Sequence, residues 1–70
     1  EEKNMEITLN GKKIMINEGL NLMELVLSKQ LEPERVVVEY NGKIINREDW
    51  RGITLKENDN LELLRFVGGG

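Results

Sequence analysis

Hydrophobic and polar residues alternate from Met5 to Leu9, which is the two-residue period of a half-buried strand. The next two residues, Asn10-Gly11, tolerate the positive φ angles that a tight type I′ turn requires. A hairpin closed by this turn places Ile14 opposite Ile7, so that the apolar side chains of both strands share one face. The register and the hydrophobic face therefore agree, and we predict a hairpin here.

The following segment carries a helix start signal. Asn21 is the predicted N-cap, and Glu24, three residues later, can reach back to complete a capping box. Because Pro33 disfavours helical geometry in the residue before it, we expect the helix to end near Gln30 or Leu31. One half of the helical wheel is apolar and is expected to cover a sheet. That half consists of Leu22, Met23, Val26, Leu27 and Leu31.

A second hairpin is predicted in the middle of the chain. The β-branched segment Arg35–Tyr40 reads as a strand, and a second Asn-Gly pair, Asn41-Gly42, turns it into Lys43–Ile45. The next residues, Asn46–Trp50, lack the alternation of a strand and indicate one short helical or 3₁₀ turn.

A final strand begins at Leu61, after the polar run Lys56–Asn60. The element order is therefore β-β-α-β-β-turn-β. Because one amphipathic helix covers only one face of a sheet, we predict an α+β fold of the β-grasp (ubiquitin-like) type, a mixed sheet of about four to five strands with one helix packed across one face. The first and last strands are expected side by side and parallel at the centre of the sheet.

The two-residue period divides the last strand between two faces. Leu61 and Leu63 are expected to face the helix, which places Leu64 and Phe66 on the opposite side. An apolar patch on an uncovered face is typical of protein docking sites, so we predict Leu64, Phe66 and Val67 as partner docking residues. The alternative is that a loop buries Leu64 and Phe66 or that the strand bulges.

Three consecutive glycines follow this strand, and they are predicted to form a flexible tail. Glycine has the largest backbone entropy of any residue, so we expect order to end near Val67 and the α-carboxylate of Gly70 to project into solvent. Because Gly68 and Gly69 have no Cβ atom, the tail can enter a slot too narrow for other residues. The tail is therefore suited to presenting a carboxylate to the active site of another enzyme.

Length and composition narrow the class of protein. The 70 residues fit one domain, which we assign to residues 5–67, with the tail at 68–70. Residues 1–4 are interpreted as an added remnant or a disordered N-terminus, and Met5 is a plausible native start. The chain has no cysteine and no histidine, so a disulfide and the usual zinc ligands are excluded, and no metal site is predicted. The net charge of −3, with both signs interspersed, argues against nucleic-acid binding. With short apolar runs, no membrane span is predicted and a cytoplasmic protein is expected.

No catalytic set is predicted. The adjacent carboxylates of Glu48 and Asp49 are the remaining candidates, but neighbouring charges on a turn are usually solvated or act as caps. Trp50 is interpreted as a packing residue rather than as a platform for a ligand.

Several motifs occur together: the early Asn-Gly hairpin, the short capped helix, Asn46–Trp50 after the second hairpin, Asn58-Asp59 before the last strand, and the end Phe66–Gly70. Over residues 5–70 this combination resembles the ThiS family, the ubiquitin-like sulfur carriers of thiamine biosynthesis. The N-terminal extension 1–4 departs from the family pattern. The diglycine end is shared with the small subunits of molybdopterin synthase and with ubiquitin-like modifiers.

The resemblance implies that a ThiF-like adenylating enzyme uses ATP, with Mg, to convert the Gly70 carboxylate into an acyl-adenylate. Sulfur from a donor such as a cysteine desulfurase then gives a thiocarboxylate, and a ThiG-like thiazole synthase takes the sulfur. The chain is then a carrier with no bound cofactor rather than an enzyme. Without cysteine it cannot hold sulfur as a side-chain persulfide, which is compatible with this chemistry. A molybdopterin-synthase-type small subunit, a modifier conjugated through Gly70 and a plain interaction module remain alternatives.

Overall fold

The computed structural model describes residues 3–66, which form five strands, one helix and two 3₁₀ turns. The strands are β1 (Asn4–Leu9), β2 (Lys12–Asn17), β3 (Val36–Tyr40), β4 (Lys43–Ile45) and β5 (Asn60–Arg65), and the helix is α1 (Leu22–Ser28). The 3₁₀ turns are Pro33–Arg35 and Arg47–Gly52. The second of these turns confirms the helical segment predicted after the second hairpin.

Both Asn-Gly turns close hairpins as predicted. In the first turn Asn10 and Gly11 have φ angles of 50° and 82°, and in the second Asn41 and Gly42 have φ angles of 50° and 88°. These left-handed values match the geometry in which a two-residue loop follows the twist of its strands. Between β1 and β2, Ile7 lies opposite Ile14 and Met5 opposite Ile16, which is the predicted register.

The five strands form one mixed sheet in the order β2-β1-β5-β3-β4. The first and last strands, β1 and β5, are parallel neighbours, and Leu9 lies opposite Leu61. On its other side β5 is antiparallel to β3. The mixed sheet and its single helix confirm the predicted β-grasp fold, with β5 as the central strand.

The helix begins as its sequence predicts. The Glu24 N–H donates to Asn21 Oδ1 at 2.8 Å, and the Asn21 N–H donates to Glu24 Oε1 at 2.9 Å, which completes the capping box. Its predicted end near Gln30 or Leu31 is wrong, because α1 ends at Ser28. Gln30 has a left-handed φ of 61°, and its N–H donates to the Leu27 carbonyl at 2.9 Å. This conformation ends the helix several residues before Pro33, so the proline does not set the helix end.

The buried face of α1 differs from the predicted one at two positions. Leu25 is fully buried although it was not placed on the sheet-facing half, whereas Leu27, which was, is 49% exposed. The buried arc is therefore rotated about the helix axis towards Leu25. A short helix covers the sheet with about two turns, so a side chain at the margin of the arc remains in water.

The core lies between α1, the inner face of the sheet and the second 3₁₀ turn. Trp50, predicted as a packing residue, is fully buried, and its Nε1–H donates to the Ile45 carbonyl at 3.1 Å. Burial of this indole with its N–H satisfied explains why the polar segment around it folds back onto the sheet. The buried apolar residues are Ile7, Ile16, Leu22, Met23, Leu25, Val26, Val36, Val38, Trp50, Leu55, Leu61 and Leu63.

The starts of β1, β3 and β5 each differ by one residue from the predicted ones, and β5 begins at Asn60 rather than Leu61. The strand predicted from Arg35 begins at Val36, because the Arg35 N–H donates to the Glu32 carbonyl at 2.8 Å and closes a 3₁₀ turn. On the N-terminal side, β1 begins at Asn4, and the Glu18 N–H donates to the Lys3 carbonyl at 2.8 Å. Pairing therefore extends beyond the domain start predicted at Met5.

Across residues 3–66, no helix is both long enough and apolar enough to cross a lipid bilayer.

Candidate functional site

The central strand β5 presents different side chains to the two sides of the sheet. Leu61 and Leu63 are buried against the core, as predicted. Leu64 and Phe66 are 52% and 56% exposed, so neither is covered by a loop. The β3–β5 pairing is continuous from Leu61 to Arg65, which excludes the predicted alternative of a bulge in this stretch. The predicted division of the strand between two faces is confirmed.

The exposed side of the sheet, turned away from α1, carries a mixed apolar and acidic patch. Across β3 and β5, Val37 lies opposite Leu64 and Glu39 lies opposite Glu62. On β4, Ile44 lies opposite Glu39 and is 65% exposed. Because side chains directly opposite in a sheet point to the same face, these five belong together. We call them the outer patch: Val37, Glu39, Ile44, Glu62 and Leu64.

The outer patch extends along β5 to Leu64, close to the last described residue, Phe66. The Phe66 N–H donates to the Arg35 carbonyl at 2.8 Å, so strand pairing reaches this residue. The predicted docking residue Val67, the tail residues Gly68 and Gly69, and the predicted sulfur-bearing Gly70 lie outside the described residues. Four residues span at most about 14 Å, so a protein that reaches the Gly70 carboxylate must approach within that distance of Phe66.

The side chain of Asn10 fastens the β1–β2 turn to β5. Its Oδ1 accepts from the Leu63 N–H at 2.8 Å, and its Nδ2–H donates to the Leu63 carbonyl at 3.4 Å. The Asn10 N–H also donates to the Leu61 carbonyl at 2.9 Å. One amide side chain thus replaces a strand residue at the edge of β5 and orients the segment that leads to the tail.

A buried carboxylate fixes the other end of β5. Asp59 is 7% exposed; its Oδ2 accepts from the Tyr40 hydroxyl and the Lys56 N–H, both at 2.8 Å, and its Oδ1 accepts from Asn41 Nδ2 at 3.1 Å. Partial burial raises the pKa of Tyr40 to about 12, with further contributions from the hydrogen bond to Asp59 and from the Asp59 charge. This network ties the second Asn-Gly turn to the strand start, so its role is to position β5.

The remaining candidate residues lie away from the outer patch. Glu48 and Asp49 are exposed on the second 3₁₀ turn, as expected for solvated carboxylates. Within residues 3–66, no group of three or more acidic side chains is arranged to hold a metal ion.

Comparison with known proteins identifies the family. The family model described as the ThiS family matches residues 2–70. The chain is 37% identical to the sulfur carrier protein ThiS of Bacillus subtilis, over 91% of this chain and 98% of that protein. The crystal structure of the thiamine biosynthesis protein ThiS from Geobacter metallireducens has a TM-score of 0.80 and 39% identity, and covers 94% of this chain and 100% of that one.

The chain belongs to the ThiS family. The resemblance drawn from the sequence motifs is thereby confirmed, and with it the function class of a sulfur carrier in thiamine biosynthesis. A further relative, a thiazole synthase of Magnetococcus marinus, is 35% identical over 94% of this chain. The chain spans only 20% of that protein's length, so a ThiS-like segment there belongs to a much longer polypeptide.

Sequence reasoning missed part of the surface of this ThiS-family chain. Ile44 was assigned to a strand but not to the docking face, and the opposition of Glu39 and Glu62 was not foreseen. Ile44 opposes Glu39 within the local β3–β4 hairpin, but its place beside Glu62 and Leu64 depends on the register between β3 and β5, which are distant in sequence. Asn10 was recognised only as a turn residue, although its side chain also binds Leu63. The turn geometry alone already favours Asn before Gly, so the sequence carried no separate signal for this second role.

Proposed function

We propose that this chain carries sulfur for the thiazole ring of thiamine on its C-terminal Gly70 carboxylate. Membership of the ThiS family is the observation that carries the proposal. An adenylating enzyme of the ThiF type joins the carboxylate to the AMP portion of ATP, with Mg, and releases pyrophosphate. The terminal sulfur of a persulfide on a donor such as a cysteine desulfurase then attacks the acyl carbon, which releases AMP and leaves an acyl disulfide to the donor. A thiol that attacks the donor's sulfur in this disulfide forms a new disulfide with the donor and releases the thiocarboxylate on Gly70.

In this proposal the protein is a cosubstrate rather than a catalyst and binds no cofactor of its own. Because acyl-adenylate formation requires ATP, we assign the carrier to the cytoplasm. Leu64, Phe66 and Val67 dock the adenylating enzyme beside the tail. The exposure of Leu64 and Phe66 supports this role, since a contiguous apolar surface next to a reactive terminus favours protein contact.

A thiazole synthase of the ThiG type is the proposed acceptor of the sulfur. The support is the match to a ThiS-like segment within a much longer protein named thiazole synthase in Magnetococcus marinus. A carrier segment and a synthase present in one polypeptide indicate that the two act on each other. A separate carrier then needs a surface that the synthase recognises.

The decisive experiment incubates the chain with the cognate adenylating enzyme, ATP and a sulfur donor, and measures intact mass. The expected result is a mass gain equal to the replacement of one oxygen by sulfur, located at Gly70. Appearance of conjugates on other proteins instead would indicate a ubiquitin-like modifier.

Removal of Gly69 and Gly70 tests which carboxylate is activated. The truncation is expected to change folding stability by no more than ~0.5 kcal/mol, as for neutral surface changes. It withdraws the carboxylate by roughly 7 Å, and a misplacement of even ~1 Å can cost about 100-fold in rate. ATP–pyrophosphate exchange should therefore be lost while thermal melts stay unchanged. Exchange at the wild-type rate by the truncated chain would exclude the Gly70 carboxylate as the activated group.

A further inference from the structure

Two carboxylates of the outer patch lie directly opposite each other in the sheet. Glu39 on β3 is half-buried, Glu62 on β5 is exposed, and the two are cross-strand partners. Like charges in this position destabilise an antiparallel pair. Among residues 3–66 the ion pair present is Glu32–Arg35, so neither Glu39 nor Glu62 is neutralised by a cation there.

The two carboxylates lie among apolar side chains on the outer face. Val37, Leu64 and Ile44 flank them on the same face. Lys13 also lies on this face, but it is on β2, and β1 separates that strand from β5. Apolar neighbours reduce the water that screens the charges. Two like charges on opposite residues of an otherwise consistent sheet break a local rule of strand pairing, and such breaks are typical of functional surfaces.

We propose that the outer patch binds a protein surface on which Lys or Arg side chains are flanked by apolar residues, with Glu39 and Glu62 as the groups that bind the cations. A guanidinium or ammonium group placed between the carboxylates converts their repulsion into attraction, and Arg can bind carboxylates in a bidentate manner. Leu64 and Ile44 supply the apolar contact around this pair. The inference rests on the proposed function, because the basic surface belongs to the adenylating enzyme that activates Gly70.

Position and charge together favour this occupant over others. A protein that reaches the Gly70 carboxylate must approach within about 14 Å of Phe66, and Leu64 of the outer patch is only two residues before Phe66 in the chain. A second copy of the chain, related by two-fold symmetry through this face, would bring acidic patches together. A nucleic acid would be repelled by the same two carboxylates.

The test measures stability and affinity on the same variants, because substitution of Glu62 should raise the stability of the free chain but weaken its binding to the enzyme. Glu62→Lys pairs a cation with Glu39 and should raise the Tm of the free chain by roughly 1–5 °C. The same change should weaken binding to the cognate adenylating enzyme by about 5- to 50-fold at low salt. A residue that acted only in packing would not show this combination.

Two further variants make the comparison sharp. Glu18→Lys changes the net charge by the same amount at an exposed site after β2, and should alter Kd by less than about 2-fold. Glu62→Gln removes one charge without adding another, and should give a smaller loss of affinity with unchanged or raised Tm. The wild-type Kd should rise with salt more steeply than that of Glu62→Lys.

Unchanged affinity of both Glu62 variants, or an equal loss in Glu18→Lys, would overturn the inference. Sedimentation that shows a wild-type dimer dissociated by Glu62→Lys, with enzyme binding intact, would overturn it in favour of a second copy. If wild-type chain supports ATP–pyrophosphate exchange while the Glu62 variants bind normally, only this inference fails. If wild-type chain supports no exchange, the proposed function fails first.

Discussion

The two faces of the central strand β5 differ in what they contact and therefore in what they contribute. On the inner face Leu61 and Leu63 are enclosed by α1 and the neighbouring strands. On the outer face Glu62 and Leu64 meet water, an opposing carboxylate on β3 and exposed apolar side chains. Stability and recognition are thus assigned to alternate residues of one strand. A substitution at one residue can test one property without disturbing the other.

The largest expected effect is on the inner face. Leu61→Ala removes a fully buried side chain at the centre of the sheet and should lower the free energy of unfolding by about 2–5 kcal/mol. The matched change Leu64→Ala, on the outer face of the same strand, should cost about 0.5 kcal/mol or less. Urea titrations followed by the fluorescence of the single tryptophan, Trp50, measure both. Similar costs for the two variants would contradict the division between the faces.

The next effect is on binding. Leu64→Glu should weaken association with the adenylating enzyme by roughly 1–4 kcal/mol if Leu64 is a docking hot spot, with little loss of stability. Leu64→Gln removes the apolar contact without adding a charge beside Glu62, and a comparable loss of affinity is expected. Calorimetric titration against the enzyme, with thermal melts of each free variant, makes the measurement. A large drop in Tm with unchanged affinity of the folded protein would instead identify Leu64 as a core residue.

The inner face, the two hairpins and the start of the helix could be predicted because local chemistry determined them. Each Asn-Gly turn sets the register of its own hairpin, and the capping box at Asn21 and Glu24 sets the start of the helix. The two-residue period of β5 then assigned its side chains to faces. These signals lie within a few residues of the structure they specify.

The details that escaped prediction are one local backbone conformation and two sets of contacts between distant segments. The early end of α1 follows from the left-handed conformation of Gln30, a residue with no strong preference for it. The opposition of Glu39 and Glu62 follows from the β3–β5 register, which pairs residues 23 positions apart. The buried Asp59 carboxylate accepts three hydrogen bonds, two of them from Tyr40 and Asn41 of the β3–β4 hairpin. No local pattern reports such pairings.

A smaller loss of stability is expected from the hydrogen bonds to Asp59, which fix the start of β5. Tyr40→Phe removes the hydrogen bond to the Asp59 carboxylate and should cost about 1.5–3 kcal/mol of stability, the range for bonds to charged groups. The Lys56 N–H and Asn41 Nδ2 remain as donors, so the fold should persist. Denaturant titration of the variant against wild type measures the loss.

The Tyr40 hydroxyl also makes the folding stability depend on pH. Tyr40 has its folded-state pKa raised from 10.0 to about 12, so the folded state favours the protonated phenol. Its contribution to stability is fully present below pH 10 and is lost as the pH rises through about 12. Tyr40 is the only tyrosine, so tyrosinate absorbance reports it directly. Titration near pH 10 in the folded protein, or an alkaline loss of stability that persists in Tyr40→Phe, would contradict this assignment.

The smallest expected effect concerns Asn10, whose side chain is hydrogen-bonded to the backbone of β5 at Leu63. Asn10→Gly keeps the left-handed turn but removes the amide that binds Leu63, and should cost about 0.5–1.5 kcal/mol, the typical net value of a hydrogen bond. Asn10→Asp keeps an oxygen that accepts from the Leu63 N–H and tolerates the same φ, so it should recover most of the loss. Denaturant titration separates the variants, and amide exchange at Leu63 should accelerate only in Asn10→Gly. Equal stability of the Gly variant and wild type would reduce Asn10 to a turn residue and leave β5 positioned by its neighbouring strands alone.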